Sequence, residues 1–382
     1  MTKDADSTGS LQVEGLLSRG VEKVIPRDLA EKKLLSGDKL RIYFGVDPTG
    51  TKLHLGHSVP LRKLKAFADA GHEIIFLVGS FTAMIGDPSG RDTMRTPLTR
   101  EEVEENFRTY KEQAGKILNL SKIEVRYNHE WLDSLKFSDI VDLASNFTVQ
   151  QILQRDMFEK RIKDGNPISL HEFLYPLMVG YDSVVLDVDC ELGGSDQEFN
   201  MLAGRSLQAA YKKRDKFVLT TRLIEGTDGR KMSKTYDNCV YLEDLPSDMY
   251  GKLMSVGDGL VKTYFECLTD VSLDEVDQIL SGHPKEAKMR LAFEITKIYH
   301  GENEAKITQE NFTETFSKGG VPKDIKTVRV NKDTPLIETL MEHGLVSSKT
   351  EFNRLNKEGA IEEIENGVYR IGKHRFLRIE VL

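Results

Sequence analysis

The chain has 382 residues, of which 39% are hydrophobic and 30% charged, and its formal net charge is −8. This length favours two or three domains with at least one sizeable core. No apolar run approaches the roughly 20 residues that a membrane-spanning helix needs, and the acidic balance argues against a surface coated in basic residues for nonspecific nucleic-acid binding.

The N-terminal segment and the cysteines bear on location. Residues 1 to 10, MTKDADSTGS, are polar and partly acidic, unlike the apolar core of a secretory signal or the acid-poor character of a transit peptide. Cys190, Cys239 and Cys267 lie far apart and form no CxxC pair, which favours reduced cysteines. We therefore expect a cytoplasmic protein without a membrane partner.

Strand-like and helical segments alternate in the first half. Residues 40 to 46 (LRIYFGV) and 73 to 79 (EIIFLVG) are rich in β-branched and aromatic residues, and a helical pattern lies between them, which indicates a βαβ unit. Further strand candidates are residues 122 to 127, 184 to 190 and 217 to 224. This alternation predicts a mostly parallel sheet covered by helices.

Three domains are predicted. The first domain comprises residues 1–245 and binds the nucleotide, with a helical insertion at about 90–180. Residues 246–325 show helical patterns without strand signals, which predicts a helical domain. Glycine and proline in residues 317 to 324 mark a boundary. Residues 330–382 alternate short helices and strands and predict a small α+β module.

A histidine pair follows the first strand of the βαβ unit. Asp47 and Thr49 lie in the turn after this strand, and HLGH, residues 54 to 57, opens the next helix. A helix N-terminus beyond a strand presents free amides to an anion, and His54 and His57 share one face there. Gly56 allows a nucleotide to approach the backbone. A metal site or two surface histidines are the alternatives, but the strand and turn favour phosphate binding.

A second basic motif, KMSKT, occupies residues 231 to 235. The ammonium groups of Lys231 and Lys234 are suited to neutralise charge on a pyrophosphate, although such a segment by itself is also typical of a solvated loop. HLGH and KMSKT together resemble the two signatures of class I aminoacyl-tRNA synthetases, with Thr235 in place of the usual serine.

Further motifs narrow the resemblance. YFGVDPTGTKLHLGH (43–57), GDPSG (86–90), EFLYPLMVGYDS (172–183) and GGSDQ (193–197) resemble the tyrosyl-tRNA synthetase family of bacterial type. The resemblance implies an α/β fold, namely a Rossmann-like parallel sheet with a helical insertion, then a helical domain and an S4-like module. It also implies a ligase that activates tyrosine with ATP and charges tRNA(Tyr).

The resemblance implies roles for the site residues. Tyr43 and Asp182 hydrogen-bond the tyrosine hydroxyl, Asp87 and Tyr175 hold its ammonium, and Gln197 contacts the amino acid. His54, His57, Lys231 and Lys234 are the catalytic residues. The ATP site comprises Asp47, Thr49, Gly56, Gly194, Asp196, Lys231, Met232, Ser233 and Lys234. We expect Mg²⁺ to enter with ATP, with no tightly bound cofactor and no dedicated metal ligands.

Two positions in the catalytic half of the chain depart from the family pattern. Val179 stands where a glutamine that helps bind the substrate ammonium is expected, and Glu198 replaces an aromatic residue. A tryptophanyl enzyme or a noncatalytic RNA-binding paralogue are the alternatives. Tyr43 with Asp182 suits a phenol better than an indole, and the intact HLGH and KMSK motifs favour an enzyme.

Two kinds of macromolecular contact are also expected. Residues 145 to 158 mix apolar anchors with few charges, which together with the resemblance predicts a homodimer. The C-terminal module is predicted to bind RNA phosphates through a basic face, and the alternative is a solvated surface with scattered charges. The residues of this predicted face are Lys349, Arg354, Lys357, Lys373, Arg375 and Arg378.

Overall fold

The structure is a computed structural model that describes residues 3–89, 98–317, 325–331, 334–346, 348–365, 367–372 and 375–381. The chain forms two compact units, Met1–Glu243 with Gly257–Ser281, and Asp244–Val256 with Gly282–Leu382. The three-domain division at residues 245 and 325–330 stays a prediction. Among the described residues, no helix has the length and apolar character needed to cross a membrane.

Up to the last strand of the large sheet, the described residues form seventeen α-helices and β-strands. They are α1 (Lys3–Ser18), β1 (Val21–Ile25), α2 (Arg27–Leu35), β2 (Arg41–Val46), α3 (Leu55–Asp69), β3 (Glu73–Val78), α4 (Thr82–Ile85), α5 (Arg100–Ala114), β4 (Glu124–Tyr127), α6 (His129–Leu132), α7 (Phe137–Ala144), α8 (Val149–Leu153), α9 (Asp156–Lys163), α10 (Leu170–Leu186), β5 (Cys190–Gly194), α11 (Glu198–Lys212) and β6 (Phe217–Thr221).

The remaining elements follow the basic KMSKT motif. They are α12 (Pro246–Met254), α13 (Val261–Leu268), α14 (Leu273–Leu280), α15 (Pro284–His300), α16 (Glu302–Ser317), β7 (Thr327–Val330), α17 (Leu336–Glu342), α18 (Lys349–Lys357), β8 (Ile361–Glu365), β9 (Val368–Ile371) and β10 (Arg375–Val381). Helices α13 and α14 belong to the first unit, and α12 belongs to the second.

The first unit contains a six-stranded sheet of order β1-β6-β5-β2-β3-β4. All neighbouring strands are parallel except β1, which pairs antiparallel with β6. The chain runs from β2 to β3 on one side and returns to β5 on the other side of β2, so a switch point lies between β2 and β5. Ligands of such sheets bind beyond the carboxyl ends of the strands at this point.

The predicted α/β class with a parallel sheet is confirmed, but one strand prediction is wrong. Residues 184 to 186 belong to helix α10, and the strand covers Cys190–Gly194 instead. The apolar run VVL suits a buried helix as well as a strand, so periodicity alone cannot separate the two. Asp187 ends the helix in the left-handed region, with φ of 47°. Strand β1 was not predicted.

The packing of helix α10 positions several residues of the site. Its face toward the sheet joins a core cluster with Tyr43, Ile75, Leu77 and Trp131. Helices α10 and α11 pack together, and Gly180 is required there because a Cβ would lie 2.8 Å from the Leu207 side chain. These contacts fix the position of α10 relative to the sheet.

The second unit has its own helices and a four-stranded sheet of order β7-β10-β9-β8. Helices α12, α15 and α16 pack on one another. A separate core lies under the small sheet, and its buried members are Val328, Leu340, Val346, Leu355, Ile371 and Leu377. The predicted small C-terminal α+β module is therefore present among the described residues.

Candidate active site

The N-terminus of α3 carries both histidines of the HLGH motif. His54 is the N-cap residue, and its Nδ1 accepts a hydrogen bond from the Gly56 amide at 3.2 Å. His57 Nδ1 accepts from the His54 amide, also at 3.2 Å. Because both Nδ1 atoms accept, the hydrogen of each neutral ring sits on Nε2. The helix end thus presents two Nε2–H donors alongside its own dipole.

Both imidazoles are neutral at physiological pH. Burial lowers the pKa of His54 to about 2, and the two motif lysines and His57, once it is protonated in acid, add to this lowering. Burial and Lys234 lower the pKa of His57 to about 4. The ring centroids lie 3.9 Å apart, and a Cβ on Gly56 would lie 2.9 Å from the His54 ring. Gly56 is therefore needed for this ring position as well as for close ligand approach.

Asp47 joins the end of β2 to α10. Its Oδ1 accepts from the Thr82 hydroxyl at 2.7 Å, and its Oδ2 accepts from the Tyr175 hydroxyl at 2.8 Å. A Cβ on Gly79 would lie 1.9 Å from Asp47 Oδ1, so only glycine fits beside the carboxylate. This hydrogen bond orients Tyr175, which is expected to hold the substrate ammonium, through Asp47, which is expected in the nucleotide pocket.

Asp87 is the centre of a second polar group. Its Oδ1 accepts from the Ser89 amide at 2.9 Å, and its Oδ2 accepts from Gln197 Nε2 at 2.8 Å. Asn200 in turn donates to Gln197 Oε1 at 2.8 Å, which fixes the orientation of the Gln197 amide. Val179 lines the same cavity, so the departure from the family pattern falls within the site.

A third group surrounds Asp182, whose carboxylate is buried. Trp131 Nε1 donates to Oδ1 at 2.8 Å, and Asn128 Nδ2 contacts Oδ2 at 3.3 Å. Burial raises the pKa of Asp182 well above its ordinary value, while these two donors oppose the rise. Tyr43 is 1% exposed, and its hydroxyl lies 3.1 Å from Ser183 Oγ.

The KMSKT segment is held by a residue outside the motif. Asn238 accepts from the Ser233 amide at 2.9 Å and donates to Asp228 Oδ1 at 2.7 Å. Lys231 Nζ lies 3.6 Å from Asp196 Oδ2, whose pKa is raised by burial against the lowering effect of this lysine.

Lys234 approaches the turn after β2. A Cβ on Gly50 would lie 2.8 Å from Lys234 Nζ. The Thr235 side chain and Gly90 lie outside the described residues.

These groups line one cavity of about 940 Å³ beyond the carboxyl ends of β2 and β5. Every predicted site residue contributes to its wall. They are Tyr43, Asp47, Thr49, His54, Gly56, His57, Asp87, Tyr175, Asp182, Gly194, Asp196, Gln197, Lys231, Met232, Ser233 and Lys234. Among the described residues, no group of three or more histidine, cysteine or acidic side chains is placed to hold a metal ion.

Comparison with known proteins identifies the family. The family described as tRNA synthetases class I (W and Y) matches residues 35–317. The tyrosine–tRNA ligase of Thermotoga maritima is 44% identical, over 95% of this chain and 96% of its own. The chain belongs to the tyrosyl-tRNA synthetase family. The tyrosine–tRNA ligase of Nitratidesulfovibrio vulgaris is 45% identical, over 96% of this chain and 97% of its own.

Solved structures of the same family share the fold. A C-terminally truncated mitochondrial tyrosyl-tRNA synthetase of Aspergillus nidulans superposes with a TM-score of 0.68 at 22% identity, covering 82% of this chain and 100% of its own. The tyrosyl-tRNA synthetase of Archaeoglobus fulgidus, complexed with L-tyrosine, has a TM-score of 0.65 at 21% identity, covering 79% and 99%.

Sequence reasoning missed several residues of this tyrosyl-tRNA synthetase site. Asn128 and Trp131 contact Asp182 from a short turn and helix, and Asn238 orders the KMSKT loop. Glu191 lines the cavity from the apolar strand β5. A charged residue inside an apolar strand is a usable signal for Glu191, whereas nothing in the sequence connects Trp131 or Asn238 with their partners.

Proposed function

We propose that the chain activates tyrosine with ATP and transfers the tyrosyl group to tRNA(Tyr). The observation that carries this function is a single cavity with two chemically different ends. Tyr43 and Asp182 form a buried polar end suited to a phenol, and the histidine pair with Lys231 and Lys234 forms a cationic and hydrogen-bond-donating end suited to phosphates. Membership of the tyrosyl-tRNA synthetase family supports this assignment.

The amino acid binds between these ends. Asp87 offers a carboxylate to the ammonium group, and Tyr175 offers its hydroxyl oxygen beside it. Gln197 is fixed by Asp87 and Asn200, so its amide reaches the ligand without losing rotational freedom on binding. Val179 supplies no hydrogen bond here, and the three polar groups hold the ammonium without it.

Activation is an in-line displacement at the α-phosphate of ATP. A carboxylate oxygen of tyrosine forms a bond to phosphorus, the bond to the bridging oxygen breaks, and pyrophosphate leaves. The Nε2–H groups of His54 and His57 donate to phosphate oxygens, and the Lys231 and Lys234 ammonium groups stabilise the negative charge that gathers on the leaving group. No side chain acts as a nucleophile.

Nucleotide binding uses the edge of the sheet. Asp196 and Gly194 lie after β5, where they are placed to contact the ribose, and Thr49 and Gly56 border the phosphates. Met232 and Ser233 complete the wall from the KMSKT loop. ATP enters as its Mg²⁺ complex, because Mg²⁺ prefers phosphate oxygens and water over a protein cage.

Transfer then occurs when a terminal ribose hydroxyl of tRNA(Tyr) attacks the tyrosyl carbonyl and releases AMP. The S4-like module at 330–382 supplies backbone contacts to this RNA. Lys349, Lys357 and Arg378 are exposed, whereas Arg354 pairs with Glu358 and Arg375 pairs with Glu351. Lys373 lies outside the described residues.

A homodimer and a cytoplasmic location complete the proposal. The helical insertion exposes large apolar side chains, among them Phe137 at 81% and Leu170 at 77% exposure, and a symmetric pairing is the commonest way to cover such a face. Light scattering should give twice the 43.2 kDa chain mass at micromolar concentration. A mass of one chain at every concentration would contradict the dimer.

The decisive experiment is ATP–pyrophosphate exchange with each of the twenty amino acids. Tyrosine should support exchange far better than any other, and aminoacylation of tRNA(Tyr) should follow. Tryptophan-dependent exchange would replace the assignment by a tryptophanyl enzyme. No exchange with any amino acid would favour a noncatalytic RNA-binding role.

A further inference from the structure

A buried ion pair lies behind Tyr43 and joins Lys216 to Glu191, which also lines the cavity. Lys216 Nζ contacts Glu191 Oε2 and lies 2.5 Å from Ser183 Oγ. Ser183 Oγ lies 3.2 Å from Glu191 Oε2 and 3.1 Å from the Tyr43 hydroxyl. Lys216 and Ser183 are 0% exposed, and Glu191 is 3% exposed. Lys216 is therefore connected to the Tyr43 hydroxyl through one serine, whereas Glu191 borders the cavity itself.

The packing leaves these groups little freedom. A Cβ on Gly204 would lie 2.5 Å from Ser183 Oγ, 2.9 Å from Lys216 Nζ and 3.0 Å from Glu191 Oε2. Lys216 Nζ also lies 5.4 Å from the centroid of the Tyr43 ring. A buried ion pair seldom stabilises a fold more than apolar residues of the same volume would, so a role in specificity is worth testing.

Donor and acceptor capacity decides how the hydrogens are arranged. An ammonium group only donates, so Ser183 accepts from Lys216 and retains one hydrogen to donate. That hydrogen goes to Glu191 or to Tyr43, and the two distances are nearly equal. If Tyr43 donates back to Ser183, or to Glu191, which is also within its reach, both Tyr43 and Asp182 face a ligand as acceptors.

The hydroxyl group of a phenol has one hydrogen, so it cannot donate a hydrogen bond to two acceptors in a buried site. One oxygen would face another without a hydrogen between them, which is costly. If Ser183 donates to Tyr43 instead, Tyr43 donates to the ligand oxygen and the ligand hydroxyl donates to Asp182. Every hydrogen bond then runs in one direction from a cation to a carboxylate, and aligned chains of this kind strengthen one another.

We propose that Lys216 and Ser183 are positioning residues for specificity, which orient the Tyr43 hydroxyl as a donor to a ligand hydroxyl that donates in turn to Asp182. This inference rests on the proposed function, because the ligand hydroxyl is that of tyrosine. Glu191 neutralises Lys216, which is 0% exposed and does not line the cavity.

The first test removes links behind Tyr43 and leaves Tyr43 and Asp182 intact. In Ser183→Ala the ratio of kcat/KM for tyrosine to that for phenylalanine should fall about tenfold, the value of roughly one oriented hydrogen bond. The change should appear in KM for tyrosine, with phenylalanine and ATP parameters unaltered. The double variant Lys216→Met with Glu191→Gln removes both charges together and should lower the same ratio.

A matched control is Ser58→Ala, since Ser58 is also 0% exposed and its hydroxyl donates to the Leu55 carbonyl of its own helix at 2.7 Å. It should leave the tyrosine-to-phenylalanine ratio at the wild-type value. An unchanged ratio in both folded variants would overturn the proposal. If Ser183→Ala does not fold, the double variant decides.

The second test uses the wild-type protein and 4-aminophenylalanine, whose neutral amino group offers two hydrogens. Two acceptors would favour this analogue, whereas a donor at Tyr43 and an acceptor at Asp182 favour tyrosine. Tyrosine should therefore be activated at least tenfold better. Equal or better activation of the analogue would overturn the proposed direction. Absence of tyrosine-dependent exchange in the wild type would instead remove the proposed function itself.

Discussion

Tyr43 and Asp182 are the residues on which substrate choice is expected to depend. Tyr43→Phe removes a buried hydroxyl, and Asp182→Asn replaces a carboxylate that receives Trp131 and Asn128 by an amide with only one acceptor. Each change should reduce discrimination against phenylalanine by about 1.5 to 3 kcal/mol, the usual value of a hydrogen bond to a charged group. The measurement is kcat/KM for both amino acids in pyrophosphate exchange, and unchanged discrimination in both variants would remove the pocket assignment.

The phosphate end makes a different prediction at the same scale. His54→Ala, His57→Ala and Lys231→Ala should each lower the pre-steady-state rate of tyrosyl-adenylate formation tenfold or more, and tyrosine affinity should change little. These groups donate toward phosphates and not toward the amino acid.

The chain offers a matched histidine for this experiment. His283 is the N-cap of α15, and its Nδ1 accepts from the Lys285 amide at 3.2 Å, the same arrangement as His54 with Gly56. His283→Ala should therefore lose a comparable cap but keep the activation rate. Activation rates equal to wild type in all three site variants would exclude the phosphate role.

The N-terminus of α3 links the histidine pair to stability. The folded-state pKa values, about 2 for His54 and about 4 for His57, lie below the ordinary value of 6.5, so the unfolded chain binds more protons as pH falls. This contribution to stability is complete above about pH 6.5 and is lost as pH falls, down to about pH 4 for His57 and about pH 2 for His54. The loss is about 1.4 kcal/mol per pH unit for each histidine.

His57→Asn should consequently flatten the pH dependence of the free energy of unfolding. Urea denaturation at pH 8 and at pH 5 measures the difference, and the variant should lose about 1 to 2 kcal/mol less than wild type over this interval. Equal losses in the two proteins would show that His57 is accessible to protons in the folded state.

The KMSKT loop is the second element whose order matters for catalysis. Asn238→Ala should raise KM for ATP and lower the activation rate about tenfold, because Lys231 and Lys234 lose a fixed backbone. Tyrosine affinity should stay the same. The control is Asn146→Ala, which removes an amide that donates to carbonyls of α7 and contacts Tyr211. An unaltered KM for ATP would mean that the loop is ordered by other contacts.

At the scale of the whole molecule, the two steps of the reaction should separate. Deleting residues 330–382 should leave tyrosine-dependent exchange nearly intact and lower aminoacylation, since only the second step needs bound tRNA. The salt dependence of tRNA binding should become shallower as phosphate contacts are lost.

Charge variants refine this prediction without removing a module. A triple change of the exposed Lys349, Lys357 and Arg378 to glutamine should weaken tRNA binding, whereas the control Arg329→Gln removes a cation that is already paired with Glu380. Aminoacylation that survives the deletion unchanged would exclude the module as a tRNA-binding element.

The family, the parallel α/β sheet and the site residues that line the cavity could be predicted from the amino-acid sequence. HLGH, KMSKT and GGSDQ are short motifs. Their spacing and their position after strands are local properties, so they can be recognised in the sequence before the fold is known. The exact start of β5 could not be predicted, because an apolar run such as VVL at 184 to 186 is compatible with both a helix and a strand.

The residues that lie behind each site residue could not be predicted, because they come from distant parts of the chain. Ser183 and Lys216 are 33 positions apart, and Trp131 and Asp182 are 51 apart, yet each pair is in hydrogen-bond contact. Such pairs follow from the packing of α10 against the sheet and leave no periodic trace in the sequence. The motifs therefore specify which groups meet the substrate, while packing specifies the orientation, protonation and hydrogen-bond direction of those groups.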